Sequence, residues 1–201
     1  MTEILANRIY ALLPQTQCRR CGYPDCRAYA DALAADQTAL NRCPPGGATT
    51  IEALAALLKR PLLLLDSSCG EEERKPIVAY VREPECIGCY KCADVCPVDA
   101  FVGAPKLMHT VIEAECTGCE LCLPICPVDC IELRPRQIDA HLARERAALS
   151  RLRHAARQRR LDRRQTEREA ARLHKLSTQA QEARIAGYLD AARQRINGNK
   201  T

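Results

Sequence analysis

Tryptophan is absent from the 201 residues, phenylalanine occurs once, at Phe101, and aromatic residues make up only 3% of the chain. The side chains that dominate most sizeable cores are thus scarce, and something besides hydrophobic burial must hold the chain together. The opening MTEILANRIYALLPQ has no charged leader region, no apolar run and no small-residue cleavage site, so no secretory signal is expected. Long hydrophobic runs are also missing. The longest, Ile51 to Leu65, is interrupted by Lys59, Arg60 and Pro61 and is far too short to span a bilayer. The expectation is a chain without a membrane span, in the cytoplasm, with at most peripheral contact at the cytoplasmic face of the inner membrane.

What the sequence has instead is cysteine, 14 of them. In a reducing compartment clustered cysteines are more often metal ligands than disulfide partners. All of them lie in an acidic part of the chain. Residues 134–201 carry 18 Lys and Arg against 7 Asp and Glu, a net of +11, whereas the first 133 residues carry 12 against 18, a net of −6. An acidic cysteine-bearing head and a basic cysteine-free tail read as separate physical objects.

Within the head, CIGCYKCADVCPVDA (Cys86 to Ala100) and CTGCELCLPICPVDC (Cys116 to Cys130) align without a gap at an offset of 30 residues. Each reads C-x2-C-x2-C-x3-C-P. Three closely spaced thiolates let one short loop wrap an iron-sulfur cube, and the proline after the fourth cysteine ends the local turn and sends that thiolate to the other cluster. The expected sets are Cys86, Cys89, Cys92 and Cys126 for one 4Fe-4S cluster, and Cys116, Cys119, Cys122 and Cys96 for the second. Zinc motifs rarely place three evenly spaced cysteines before Cys-Pro twice over. The β-rich approaches KPIVAYVRE and MHTVIEAE, with AFV and CIEL after the Cys-Pro turns, predict two small β-hairpins related by a pseudo-twofold. Gly88 and Gly118 occupy equivalent loop positions, where a missing Cβ lets backbone come close. His109, Asp99 and Asp129 read as bystanders, packed or solvated, since both sets already have four thiolates.

A further set, Cys18, Cys21, Cys26 and Cys43, is spaced C-x2-C-x4-C-x16-C. Alone, that spacing admits zinc as well as iron-sulfur; beside two ferredoxin motifs it favours a third 4Fe-4S cluster. Asp25 is placed to cap a helix starting near Cys26, and Thr49 with Glu52 resembles a capping box for a helix over TIEALAALLKR. Cys69 falls in the connector DSSCGEEERKP and reads as a free thiol in a mobile segment. Cys130 takes the place of Ala100 and should pack beside a cluster without ligating it.

The segments LPQTQCRRCGYPDCRAYADALA and CPPGG, followed by the double motif, resemble the RnfB family of the Rnf electron transport complex over roughly residues 5 to 135. That resemblance implies that all twelve motif cysteines are cluster ligands in a relay passing single electrons between redox subunits, with Rnf-type subunits, a ferredoxin or a flavoprotein as partners. Members of that family begin with a membrane-spanning helix, and here the cysteine-rich part starts almost at Met1. The long basic tail is a second departure. It is rich in Ala, Arg, Leu, Gln and Glu, has no proline from Arg136 onward, and sets Leu142, Leu149, Leu152 and Ala156 on one helical stripe, interrupted by Glu145. A long solvated helix or weak coiled coil is expected. Nucleic acid is disfavoured as its partner, because no stacking aromatics are interleaved with the arginines.

The expected fold is α+β: a small helical 4Fe-4S domain (1–65), a linker (66–76), a two-cluster ferredoxin-like domain (77–135) and a basic helical tail (136–201). The expected function is electron relay, with no catalytic acid, base or nucleophile. The rival from another class is a non-redox interaction protein with structural metal sites and a tail that binds a scaffold or nucleic acid. Crossed ligation is open to a direct test. Cys126→Ala combined with Cys86→Ala should cost one cluster, because both changes strike the same set, whereas Cys126→Ala combined with Cys96→Ala should cost two. Iron and sulfide assays with low-temperature EPR decide it, and the reverse pattern overturns the assignment.

Overall fold

A computed structural model describes residues 2–72, 76–137 and 140–198. Residues 73–75 of the expected linker, and 138, 139 and 199–201 of the expected tail, lie outside the described residues. Met1–Arg157 forms one compact unit and Gln158–Thr201 another. The class is α+β, as the sequence pattern implies.

Three helices make the N-terminal part: α1 (Thr2–Leu12), α2 (Cys26–Ala34) and α3 (Gly47–Leu58). Their inward faces pack Ile9, Leu13, Tyr29, Leu33, Leu40, Ile51 and Leu54 into one core. Aliphatic side chains carry most of it. Tyr29 adds a polar tie, its hydroxyl donating to Ala39 O at 2.9 Å and accepting from Arg42 N–H at 3.2 Å. Asp25 caps α2 as expected, accepting the Ala28 N–H at 2.8 Å. The capping box at Thr49 does not form. α3 starts two residues earlier, and the Ala48 N–H is satisfied at 3.0 Å by the Glu72 carboxylate, a long-range partner that local spacing does not reveal.

The connector is also more ordered than expected at Cys69. Asp66 accepts from Ser68 N–H and starts a 3-10 turn over Ser67–Cys69, which buries the Cys69 side chain. Its thiol lies near enough to Cys21 to push that thiol's pKa up, after the larger effect of burial.

The second core gathers Val78, Val81, Val98, Ala100 and Ile131 around the remaining cysteines. Strand β1 (Ile77–Val81) pairs antiparallel with β4 (Ile131–Pro135), Ile77 facing Pro135 and Val81 facing Ile131. Strand β2 (Phe101–Val102) pairs with β3 (Thr110–Val111), and the short helix α4 (Lys91–Val95) lies between β1 and β2. Each ribbon joins one strand from each repeat. The loops interlock in the same sense. Gly88 (φ +68°) and Gly118 (φ +71°) occupy the left-handed region, and an added Cβ would come within 2.6 Å of Leu107 N and of Ile77 O respectively. Residues 77 and 107 are themselves 30 apart, so each cysteine loop presses on the strand that leads into the other.

The last helix, α5, covers Ala140–Gly198. In its first stretch the buried positions are polar: Ser150, His154 and Arg157. The expected leucine stripe faces outward instead, with Leu142, Leu149 and Leu152 exposed, because arginine bonds to carbonyl and carboxylate groups, and not apolar contacts, dock this face. Within the second unit the side chains of residues 161–192 are exposed. No helix among the described residues is long and apolar enough to cross a membrane.

Gly118→Ala should destabilise the protein by about 1–3 kcal/mol from backbone strain alone, with the clash at Ile77 O adding to it. Anaerobic thermal unfolding checks this against Gly187→Ala, where an added Cβ meets nothing within 4 Å and stability should hold or rise.

Candidate iron-sulfur centres

The N-terminal set converges on one small cavity. Cys18, Cys21, Cys26 and Cys43 line it with Leu13, Pro14 and Tyr29 among the apolar wall residues. Burial pushes the Cys26 thiol well up, and Cys43, Cys18 and Cys21 nearby push it further. Gln17 reaches back with its amide oxygen to accept the Cys26 N–H at 2.8 Å, tying the first cysteine loop to the start of α2.

A second cavity is lined by Cys96, Cys116, Cys119 and Cys122, with Val98, Phe101 and Thr117. Burial raises the Cys119 thiol to about 12, helped by Cys96 and Cys116. Burial raises Cys122 as well, with Cys119, Cys116 and Cys96 adding to it. The Cys96 thiol of the first repeat thus stands among the three close-spaced thiols of the second. Ala100 N–H donates to Cys96 Sγ at 3.2 Å, and Ala79 N–H to Cys116 Sγ at 3.4 Å.

The remaining motif cysteines lie at the other end of the ferredoxin-like part. Burial lifts the Cys92 thiol to about 11, with Cys89 and Cys86 adding to it. Cys126 comes toward this end through Cys130: their sulfurs are 3.6 Å apart, and Cys130 in turn is raised to about 12 by burial first and then by Cys126 and Cys86. In that pair Cys126 is the thiolate. Burial works against it, but N–H groups of Val128 and Cys130 and the Cys130 side chain outweigh burial and lower its pKa. Cys130 is buried beside the set, where the sequence placed it. Cys89 is exposed, whereas Cys96, Cys116 and Cys122 are buried.

These donor sets suit an iron-sulfur cube. They are all sulfur, and two of the three surround a cavity. Among the described residues no three His, Cys, Asp or Glu side chains are drawn together for a single metal ion, as a tetrahedral zinc site requires. Raised thiol pKa values mean that iron must displace protons on binding, so loading becomes easier as pH rises.

Contacts between the N-terminal and ferredoxin-like parts fall beside two of the cavities. Thr117 Oγ1 donates to Thr16 O at 2.9 Å, and Arg20 pairs with Glu120. The start of α5 covers the same junction. Arg151 lies 5.4 Å over the Tyr10 ring, Arg146 donates to Cys116 O at 2.9 Å, and Arg153 donates to Val98 O at 2.8 Å and Glu115 Oε1 at 2.6 Å. Arg157 bonds the Asp99 carboxylate and Asp94 O. Sequence reasoning missed these arginines, although their spacing (146, 153, 157) places them on one helical face. It also read Asp99 as a bystander, and Asp99 is where the helix fastens.

Comparison with known proteins is consistent with these observations. The family of 4Fe-4S dicluster domains matches residues 79–133, and the FeS family of iron-sulfur cluster domains matches residues 13–45. The RnfB protein of the ion-translocating oxidoreductase complex from Pseudomonas paraeruginosa is 64% identical over 130 residues, 65% of this chain and 67% of the relative. The protein of the same name from Alkalilimnicola ehrlichii is 55% identical over 135 residues, 67% of this chain and 73% of the relative. The chain belongs to the RnfB family. It is an iron-sulfur electron-transfer protein with 4Fe-4S and ferredoxin-like domains, and in this family the arginine face of α5 becomes a feature to explain.

Truncation separates the two parts of that helix. Removing residues 158–201 should leave iron content and melting temperature unchanged. Arg153→Ala with Arg157→Ala should lower stability by about 2–4 kcal/mol, since charged hydrogen bonds are worth ~1.5–3 kcal/mol each and are not fully additive. Anaerobic melting curves and amide exchange at residues 94–99 check both.

Proposed function

We propose that the chain carries three 4Fe-4S clusters, held by Cys18, Cys21, Cys26 and Cys43, by Cys96, Cys116, Cys119 and Cys122, and by Cys86, Cys89, Cys92 and Cys126, and relays single electrons between redox proteins. When bound, a 4Fe-4S cluster takes up and gives up one electron; the chain supplies thiolates, spacing, a low dielectric and N–H bonds to sulfur. The observation that supports the order of the relay is the junction at Thr16–Thr117 and Arg20–Glu120. It sets the N-terminal cysteines beside the Cys116 set and leaves the Cys86 set, with exposed Cys89, at the far end. The middle set is the Cys96, Cys116, Cys119 and Cys122 one. The relatives are named as subunits of an ion-translocating oxidoreductase complex, so Rnf-type subunits, a ferredoxin or a flavoprotein are the proposed partners. The arginine-rich second unit is the proposed contact with the anionic membrane surface, on the cytoplasmic face. The division into 1–65, 77–135 and a tail is kept as the organisation serving this relay.

A structural-metal protein needs no two sets interleaved in one fold, so the scaffold alternative is not favoured. Anaerobically purified protein should hold ~12 iron atoms and as much acid-labile sulfide, four per cysteine set. About 8 iron with one zinc would return the N-terminal set to a structural role. Cys122→Ala should abolish electron passage between the N-terminal and Cys86 ends in rapid-mixing experiments; undiminished passage overturns the order. Membrane vesicles with anionic lipid should bind the chain at low salt and release it at high salt; retention through a high-salt wash counts against the proposed contact.

A further inference from the structure

Residues 79 and 109 hold the same place in the two repeats. In each case a backbone N–H crosses to the first cysteine of the other repeat: Ala79 to Cys116 Sγ at 3.4 Å, His109 to Cys86 Sγ at 3.3 Å. The backbone is symmetric here and the side chains are not. Ala79 offers a methyl group, whereas the His109 imidazole places Nδ1 3.5 Å from Cys86 Sγ. His109 is 1% exposed. Tyr90 stands beside it, ring centroids 5.6 Å apart, and Gly103 closes on its other edge, where an added Cβ would come 2.4 Å from Cδ2. The ring is boxed in place.

Its protonation follows from what its two nitrogens meet. Nε2 is buried and has no hydrogen-bond partner among the described residues. A neutral imidazole carries one N–H. On Nε2 that proton would be a buried unpaired donor, costing more than an unpaired lone pair facing apolar surroundings. On Nδ1 it faces a sulfur that is a thiolate whenever it ligates iron.

We propose that His109 donates an Nδ1–H bond to the Cys86 thiolate and thereby raises the reduction potential of the cluster at Cys86, separating it from the otherwise symmetric cluster at Cys116. This rests on the ligand sets given under the proposed function. A second N–H bond withdraws electron density from the ligating sulfur and stabilises the more negative, reduced state. His109 is a positioning and tuning residue, and it biases the electron toward the end of the fold where Cys89 is exposed.

EPR-monitored redox titration of the wild type, His109→Leu and His109→Asn, with iron assays on the same samples, tests this. His109→Leu should disfavour reduction of the Cys86 cluster about tenfold, a fall of ~59 mV for one electron, and leave the Cys116 cluster unmoved. His109→Asn, whose amide nitrogen can take the place of Nδ1, should recover most of the shift. Full iron in His109→Leu with both potentials unmoved overturns the proposal while sparing the ligand sets. If Cys86→Ala loses neither ferredoxin-like cluster, the ligand sets fail first. Should His109→Leu not assemble its cluster, pulsed EPR of the reduced wild type carrying ¹⁵N-histidine decides: a nitrogen coupling that vanishes in His109→Asn supports the bond, and no histidine coupling in the wild type overturns it.

Discussion

The interlocking of the two cysteine repeats is the constraint on which the ferredoxin-like part depends. Gly88 lies against Leu107 and Gly118 against Ile77, so neither loop can be placed without the strand leading into the other. The cross-repeat N–H bonds to Cys86 and Cys116 follow from the same crossing, as does the position of Cys96 among the thiols of the second repeat. A half-repeat on its own would lack both the wall of its cavity and its fourth thiol. That is why a part with two-residue strands can be well defined: its order comes from mutual enclosure more than from sheet area.

The N-terminal part reaches a comparable result by different means. Helices α1 to α3 bring an aliphatic core around Tyr29 to one side of Cys18, Cys21, Cys26 and Cys43, and Gln17 and Asp25 satisfy backbone N–H groups at the start of α2. The two parts then meet at Thr16–Thr117 and Arg20–Glu120. Individually such contacts are modest in energy. Their value is positional, since they set two cysteine sets side by side in one compact unit.

Much of this was legible in the sequence, where the chemistry is local. Cysteine spacing, the offset of 30 and the Cys-Pro turns name the groupings, and Asp25 before Cys26 reads as a cap because its partner is three residues away. Long-range partners were not legible. Glu72 displaces the capping box expected at Thr49, and Cys69 is buried by a turn whose docking no local pattern announces. The tail shows the same limit. Periodicity picks out Leu142, Leu149 and Leu152, yet the docked face is built from Arg146, Ser150, Arg153, His154 and Arg157, because its counterpart is a surface of carbonyl oxygens and carboxylates. A hydrophobicity pattern carries no information about such a counterpart.

The unequal exposure of the thiols bears on how the protein ages in air. Cys89 is open to solvent, while Cys96, Cys116 and Cys122 are buried and the α5 arginines lie over the turn that follows Cys96. Dioxygen and peroxide attack iron-sulfur centres from the solvent side, and exposed thiolates are oxidised first. Damage therefore begins at the Cys86 end and works inward. The end best placed to meet a partner is also the most perishable, and a docked partner shields it, so the assembled state is the more durable one.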